Sequence, residues 1–185
     1  MAATKRPAEL GPIAPCGLIL RAATVTDLAA VQSIYAHHVR HGLGSFETNP
    51  PDIDEIETRW HTVEQLGLPY LVAERAGRAV GFAYARPYRE RAAYCHTVED
   101  AVYVAPDQQR HGVGRALLQA LIERCAELPL HQMVALIGNS ENHPSIELHR
   151  ALGFRQVGVL AKVGRKFDRW VDVVIMQRAL RPADG

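Results

Sequence analysis

The segment Gln109-Arg110-His111-Gly112-Val113-Gly114-Arg115 is chemically suited to hold an anion. It follows an apolar Val102-Tyr103-Val104 run and a turn at Pro106, and it leads into Ala116-Leu117-Leu118, which reads as the start of a helix. A helix N-terminus presents unpaired N–H groups and the positive end of the helix dipole, and both favour phosphate. Gly112 and Gly114 carry no Cβ, so an anion can approach their backbone, while Arg110 and Arg115 add formal charge. A phosphate-binding P-loop is excluded because no Lys-Ser or Lys-Thr follows the glycines. A dinucleotide fingerprint is excluded because the third glycine is missing and the pair lies late in the chain. What remains, Gln109-x-x-Gly112-x-Gly114 after a strand, is either a pyrophosphate cradle or ordinary glycine capping of a helix.

The elements that must position this cradle are legible in outline. Leu18 to Arg21 reads as a first strand. Thr24 to Asp27 offers N-cap chemistry, and Leu28, Val31, Ile34, Tyr35 and Val39 follow at helical spacing. Asp52 to Leu66 repeats the pattern with Ile53, Ile56, Trp60 and Val63. Tyr70–Glu74 and Ala79–Tyr84 flank an Ala76-Gly77-Arg78 turn, as a hairpin requires. A strand over 97–104, the cradle, a helix to about Leu128 and an apolar strand over 134–137 come next. Asn142 suits the N-cap of a further helix, with Pro144 in its first turn and Gly153 as its stop. Strands near Val157 to Lys162 and Trp170 to Leu180 complete a mixed α/β domain. Residues 18–180 are expected to form that domain, with 1–17 a flexible N-terminal tail and 181–185 a C-terminal tail.

Composition narrows the function classes. The chain has 185 residues, 48% hydrophobic and 22% charged, with a net charge of +1, so it is long enough for a substantial core. The charge balance supports neither a nucleic-acid partner nor a membrane surface, and no apolar run approaches the roughly 20 residues a bilayer span needs. The first 17 residues hold Lys5, Arg6 and three prolines but no apolar signal region. Cys16, Cys95 and Cys125 lack metal-ligand or paired spacing, which points to no metal, no disulfide framework and a cytoplasmic location. His37 and His41 share a helix face without the partners a metal needs, and Trp60 and Trp170 read as packing residues.

Together, the cradle and Asn142-x-x-Ser145-Ile146-x-Leu148-His149-x-Ala151-Leu152-Gly153-Phe154 resemble the two signatures of the GCN5-related N-acetyltransferases (GNAT). The resemblance covers roughly residues 18 to 180. It implies a central, mostly antiparallel mixed sheet flanked by helices, with acetyl-CoA held at a splay between two central parallel strands. Val102, Tyr103, Val104, Gln109, Arg110, His111, Gly112, Val113, Gly114, Arg115, Asn142 and Ser145 would then contact the cofactor, with backbone N–H groups near Tyr103 and Val104 polarising the thioester carbonyl.

Further blocks are similar to the phosphinothricin and methionine sulfoximine/sulfone N-acetyltransferase subgroup. They are Ser45-Phe46-Glu47-Thr48, Pro69 to Glu74, Ala83 to Arg89, Arg91 to Tyr94, Thr97 to Val104, and Gly164-x-Lys166-Phe167-Asp168-x-Trp170-x-Asp172. Acetyl transfer to an amine requires deprotonation of the ammonium, stabilisation of an oxyanion and departure of a thiolate. By the resemblance, Glu99 is the general base, acting through water. His149 stands where many relatives have Tyr, and it either donates a proton to the thiolate or organises the substrate site. Arg89 and Arg91 suit the acceptor's anionic groups, with Phe46, Tyr94 and the Gly138 backbone lining its pocket. His96 departs from the aromatic residue often found in its place.

The implied activity is direct transfer to the α-amine of a small amino acid analogue, without an acyl-enzyme, in a homodimeric protein. Two other readings stand beside it: an acetyltransferase for another small amine or a peptide N-terminus, and a non-catalytic acyl-CoA sensor.

Overall fold

The structure, a computed structural model, describes residues 17–181, so the expected tails lie almost wholly outside the described residues. Along the chain run β1 (Leu18–Ala22), α1 (Leu28–His41), α2 (Ile53–Gln65), β2 (Tyr70–Arg75), β3 (Arg78–Pro87) and β4 (Thr97–Val104). They are followed by α3 (Val113–Ala126), β5 (Gln132–Gly138), α4 (His143–Ala151), β6 (Arg155–Lys166) and β7 (Arg169–Ala179). The strands form one seven-stranded sheet in the order β1-β2-β3-β4-β5-β7-β6, and β4 with β5 is its parallel pair.

Local chemistry explains most of the boundaries. Ahead of α1, the Thr24 N–H donates to Asp27 Oδ2 at 2.8 Å, and Arg21 pairs with both Asp27 and Glu74. Asp52 Oδ1 accepts the Glu55 N–H at 2.9 Å and opens α2. The β2–β3 hairpin turns through Ala76 and Gly77, both at positive φ. The last hairpin is longer than its sequence suggests: β6 runs to Lys166, and the turn is Phe167-Asp168 at φ 49° and 56°. Lys166 accounts for that extension. It is 3% exposed, and its Nζ donates to the Ser45 carbonyl at 2.7 Å, which draws the strand end into the interior.

Period-2 alternation gives the sheet two distinct faces. Val98, Val102 and Val104 of β4 join Met133, Ala135 and Ile137 of β5 against α3 and Ile146 of α4. Tyr103 lies on the other face with Phe82, Tyr70 and Val72, under Tyr35 of α1 and Ile56 and Trp60 of α2. Glu99 shares this second face, and Asp100 shares the first.

Gly138, at the end of β5, has no room for a side chain, because a Cβ there would lie 2.3 Å from the Leu43 carbonyl oxygen. That neighbour is backbone and cannot swing aside. Gly138→Ala should lower stability by about 1–3 kcal/mol and displace the 43–46 loop. Gly158→Ala, whose Cβ would meet nothing within 4 Å, should stay within about 0.5 kcal/mol of wild type. Urea midpoints of the two variants check this.

Candidate active site

The site is built on the place where β4 and β5 part. Their parallel register holds for Thr97↔Gln132, Val98↔Met133 and Glu99↔Val134 and goes no further, although β4 continues to Val104 and β5 to Gly138. On its other edge β4 stays paired with β3 from Val98 to Val104. The Ala105 N–H donates to Val80 O at 2.9 Å and the Tyr88 N–H to Thr97 O at 3.1 Å, which fixes the phase of that ladder. By antiparallel alternation, the main-chain groups of Glu99, Ala101 and Tyr103 belong to β3, whereas those of Asp100, Val102 and Val104 face the gap. The free amides are therefore those of Val102 and Val104, not of Tyr103. The Val104 carbonyl is already taken by the His38 Nε2–H of α1 at 2.8 Å. Burial outweighs this hydrogen bond and lowers the pKa of His38, so the ring is a neutral donor.

Beyond the gap lies the cradle. Gly112 caps α3 in the left-handed region at φ 78°, a conformation that costs glycine little. Arg110 also sits there, at φ 61°, where a side chain is strained. Gln109, Arg110, His111 and Arg115 are exposed around this turn. Val113 points elsewhere: it is 1% exposed and belongs to the core, so its backbone alone can serve the cradle. Asn142 caps α4 through Oδ1, which accepts the Ser145 N–H at 3.4 Å, and its amide nitrogen lies 3.8 Å from where a Gly44 Cβ would be. Free amides along β4, a left-handed helix cap and exposed cations in series fit a long ligand with a polar arm and a pyrophosphate. Acetyl-CoA is such a ligand.

Glu99 is 8% exposed, and its Oε1 accepts from Arg86 Nη2 at 2.6 Å across the β3–β4 ladder. No protein donor among the described residues takes Oε2. Arg86 sits on the same face as Glu99 and was not singled out by type or spacing. Only the strand register, Arg86↔Glu99, brings the two together.

His149 is 4% exposed and both its ring nitrogens are engaged. Nδ1 lies 2.7 Å from the Ser145 carbonyl oxygen, which can only accept, so this nitrogen carries a proton. Nε2 lies 3.0 Å from Asp100 Oδ2. Burial opposes the imidazolium, but the Asp100 charge, its hydrogen bond and the Ser145 carbonyl outweigh it, and the pKa of His149 is raised. The ring also meets Phe154 edge-on at 5.0 Å. Nearby Cys125 is buried, and desolvation with the Asp100 charge pushes its thiol up to about 12, so it is no nucleophile.

The expected acceptor residues fall into two groups. Phe46 and Gly138 come together: the Phe46 ring packs where Cβ atoms of Gly138 and Gly164 would be. The loop carrying Phe46 is fixed by Tyr35, whose hydroxyl lies 3.0 Å from Ser45 Oγ and donates to Glu47 Oε1 at 2.9 Å, and by Lys166. Arg89, Arg91 and Tyr94 lie in the β3–β4 loop at the other end of the parallel pair. There the Arg89 guanidinium stacks 4.6 Å from the Tyr88 ring centre, and Tyr94 packs edge-on to Tyr88. No hydrogen bond or ion pair joins either arginine to Glu99 among the described residues. His96 Nδ1 is 2.6 Å from the Pro129 carbonyl oxygen, away from Glu99. His37 and His41 stack at 4.7 Å, and the described residues hold no group of three metal-ligating side chains.

Comparison with known proteins agrees with this geometry. The Acetyltransferase (GNAT) family profile matches residues 31–154. Over 172 residues the chain is 52% identical to a phosphinothricin N-acetyltransferase of Alcaligenes faecalis, spanning 93% of this chain and 87% of that protein. It is 41% identical to an L-methionine sulfoximine/L-methionine sulfone acetyltransferase of Pseudomonas aeruginosa, spanning 88% of this chain and 95% of that protein. A phosphinothricin acetyltransferase from Sinorhizobium meliloti, crystallised with AcCoA, superposes with a TM-score of 0.86 at 39% identity, covering 91% of this chain and 95% of that one. Sequence, fold and the parted β4–β5 pair agree: the chain belongs to the acetyltransferase (GNAT) family.

Proposed function

We propose that this protein acetylates the α-amine of a small amino acid analogue of the phosphinothricin, methionine sulfoximine or methionine sulfone type, by direct transfer from acetyl-CoA in a ternary complex. The observation that carries this reading is the position of Glu99, a nearly buried carboxylate at the last register pair before the strands part. Acetyl-CoA supplies an activated acetyl thioester when bound. The α3 N-terminus with Arg110 and Arg115 neutralises pyrophosphate charge. The Val102 and Val104 amides, already aimed into the gap, hold the pantetheine arm and stabilise negative charge on the carbonyl oxygen. Glu99 Oε2 takes a proton from the acceptor ammonium, directly or through water. Phe46, packed over Gly138, lines the acceptor side of the gap.

His149 is assigned to positioning. With both nitrogens committed inside the fold, it joins α4 to β4 through Asp100 and keeps the Asn142 cap beside the gap. The same pair has a stability signature. The folded pKa of His149 lies above the ordinary 6.5, so the contribution is full below that value and fades as pH rises through the folded pKa. Asp100→Asn should therefore cost about 3–5 kcal/mol near pH 6, where a buried imidazolium loses its partner. The loss should shrink as pH rises through the raised folded pKa of His149, where the ring sheds its proton. Chemical denaturation across a pH series starting at 6 reads this, and a loss that stays constant throughout would refute an ionised pair.

We also infer a homodimer. β6 is the edge strand, and Val157, Val159, Leu160, Val163, Phe167 and Trp170 around it are 46–63% exposed, an apolar surface of the kind a second copy covers. Light scattering should give a dimer mass for wild type and a monomer for Val159→Lys/Trp170→Glu. The free Cys95 and Cys125 suit a reducing cytoplasm, and no described helix is long and apolar enough to cross a membrane.

The catalytic reading is tested on Glu99. Glu99→Gln should lower kcat about a hundredfold to ten-thousandfold and leave the acetyl-CoA dissociation constant within about threefold. Thiol release with methionine sulfone, methionine sulfoximine, phosphinothricin and a peptide panel, paired with calorimetry, gives both numbers. Wild-type turnover in the variant would remove Glu99 from the chemistry. Acetyl-CoA binding without thiol release on any amine would favour a sensor.

A further inference from the structure

Asp172 of β7 is engaged at all three of its oxygens. Oδ1 accepts the Lys162 N–H, Oδ2 accepts the Ser140 hydroxyl, and the main-chain carbonyl accepts the Asn139 N–H, each at 2.8 Å. The Lys162 amide and then the Ser140 hydroxyl hold the carboxyl below its ordinary pKa, so the group is ionised at neutral pH. The three donors belong to two separate elements: Asn139 and Ser140 follow the end of β5, whereas Lys162 lies within β6.

On the donor side the chain after β5 turns tightly. Asn139 is left-handed at φ 70°, its carbonyl accepts the Asn142 N–H at 2.9 Å, and Asn142 caps α4. On the acceptor side β6 bulges. Val173 pairs with Leu160 and Val171 with Gly164, so residues 161–163 stand opposite Asp172 alone, with Lys162 left-handed at φ 52°. The same stretch of β7 aligns the seat of Phe46. Gly138 lies across from Val173 and Gly164 across from Val171, and the Phe46 ring occupies the space a Cβ on either glycine would need.

We propose that Asp172 is a positioning residue that fixes two walls of the site at once. Through Asn139 and Ser140 it sets the Asn142 cap on the acetyl-CoA side. Through the Lys162 bulge it sets Gly164 under Phe46 on the acceptor side. This rests on the acetyl-CoA and amino acid reading above and deepens it: donor and acceptor walls keep their spacing because one carboxylate holds both.

Calorimetric acetyl-CoA binding reads the donor wall. The KM of methionine sulfone, from thiol release at saturating acetyl-CoA, reads the acceptor wall. Asp172→Ala should raise both constants about 10- to 100-fold, the value of a lost hydrogen bond to a charged group, with kcat within about threefold. Ser140→Ala frees only the 139–142 turn, where the main-chain bond from Asn139 survives. It should raise the acetyl-CoA constant about 3- to 10-fold and leave the methionine sulfone KM within about twofold. Asp172→Asn keeps an acceptor for the Lys162 N–H and can donate to the Ser140 hydroxyl, so it should recover most of both losses. A merely structural aspartate would lower the unfolding midpoint and the active fraction with both constants unchanged, and that result overturns the proposal. So does a shift of only one constant in Asp172→Ala. An unmoved acetyl-CoA constant in Ser140→Ala overturns it as well, and this variant decides if Asp172→Ala fails to fold. Wild type that acetylates no α-amino acid overturns the substrate reading alone; the calorimetric shift of Ser140→Ala then still judges the clamp.

Discussion

β4 and β5 hold a parallel ladder through Glu99 and Val134 and then separate, each still anchored to its outer neighbour, β3 or β7. A gap inside a sheet is an expensive arrangement, since buried main-chain donors and acceptors need partners. Here the gap is tolerated because outer pairing keeps both strands rigid, and because a ligand with amide-like groups can complete the ladder. The Val102 and Val104 amides are pre-oriented for that purpose by the phase of the β3–β4 hydrogen bonds. The position of Glu99, the proposed base, follows from the same constraint, because it is the last residue paired before the strands part.

Alternation then separates two carboxylates that are adjacent in sequence. Glu99 points towards α1 and α2, where an acceptor can approach, and its partner is an exposed arginine. Asp100 points towards α3 and α4, where its partner is a buried histidine. The two ion pairs differ accordingly. One is open to solvent at its cationic end, while the other is closed and ties elements together. A one-residue slip of β4 would exchange these roles, so register decides which acid can do chemistry.

Much of the fold was legible because its signals are local. The Asp52 and Asn142 caps, the apolar periodicity of α1 and the Ala76-Gly77 turn each act over a few residues. The end of β6 was not legible. Nothing local places Phe167 in a turn; the turn forms there because Lys166 is drawn to the Ser45 carbonyl, 121 residues away. The candidate site divides in the same manner. The cradle residues, Phe46 and Gly138 were singled out from the sequence, but the packing of the Phe46 ring over Gly138 is supplied by the fold. Arg86 and Asp100 were not expected, because each matters only through a neighbour that the register supplies.

The cradle at 109–115 and the helix at 142–153 carry their chemistry in their order of residues: glycine at a helix start, cations beside it, an asparagine cap. Such features need no distant partner, so the sequence by itself determined the donor half of the reaction and the class of fold. Which amides face the gap, which carboxylate lies beside it and which is locked in the interior, and how both nitrogens of His149 are engaged depend on strand phase and on burial. Those are properties of residues brought together from far apart, and tertiary structure alone decided them.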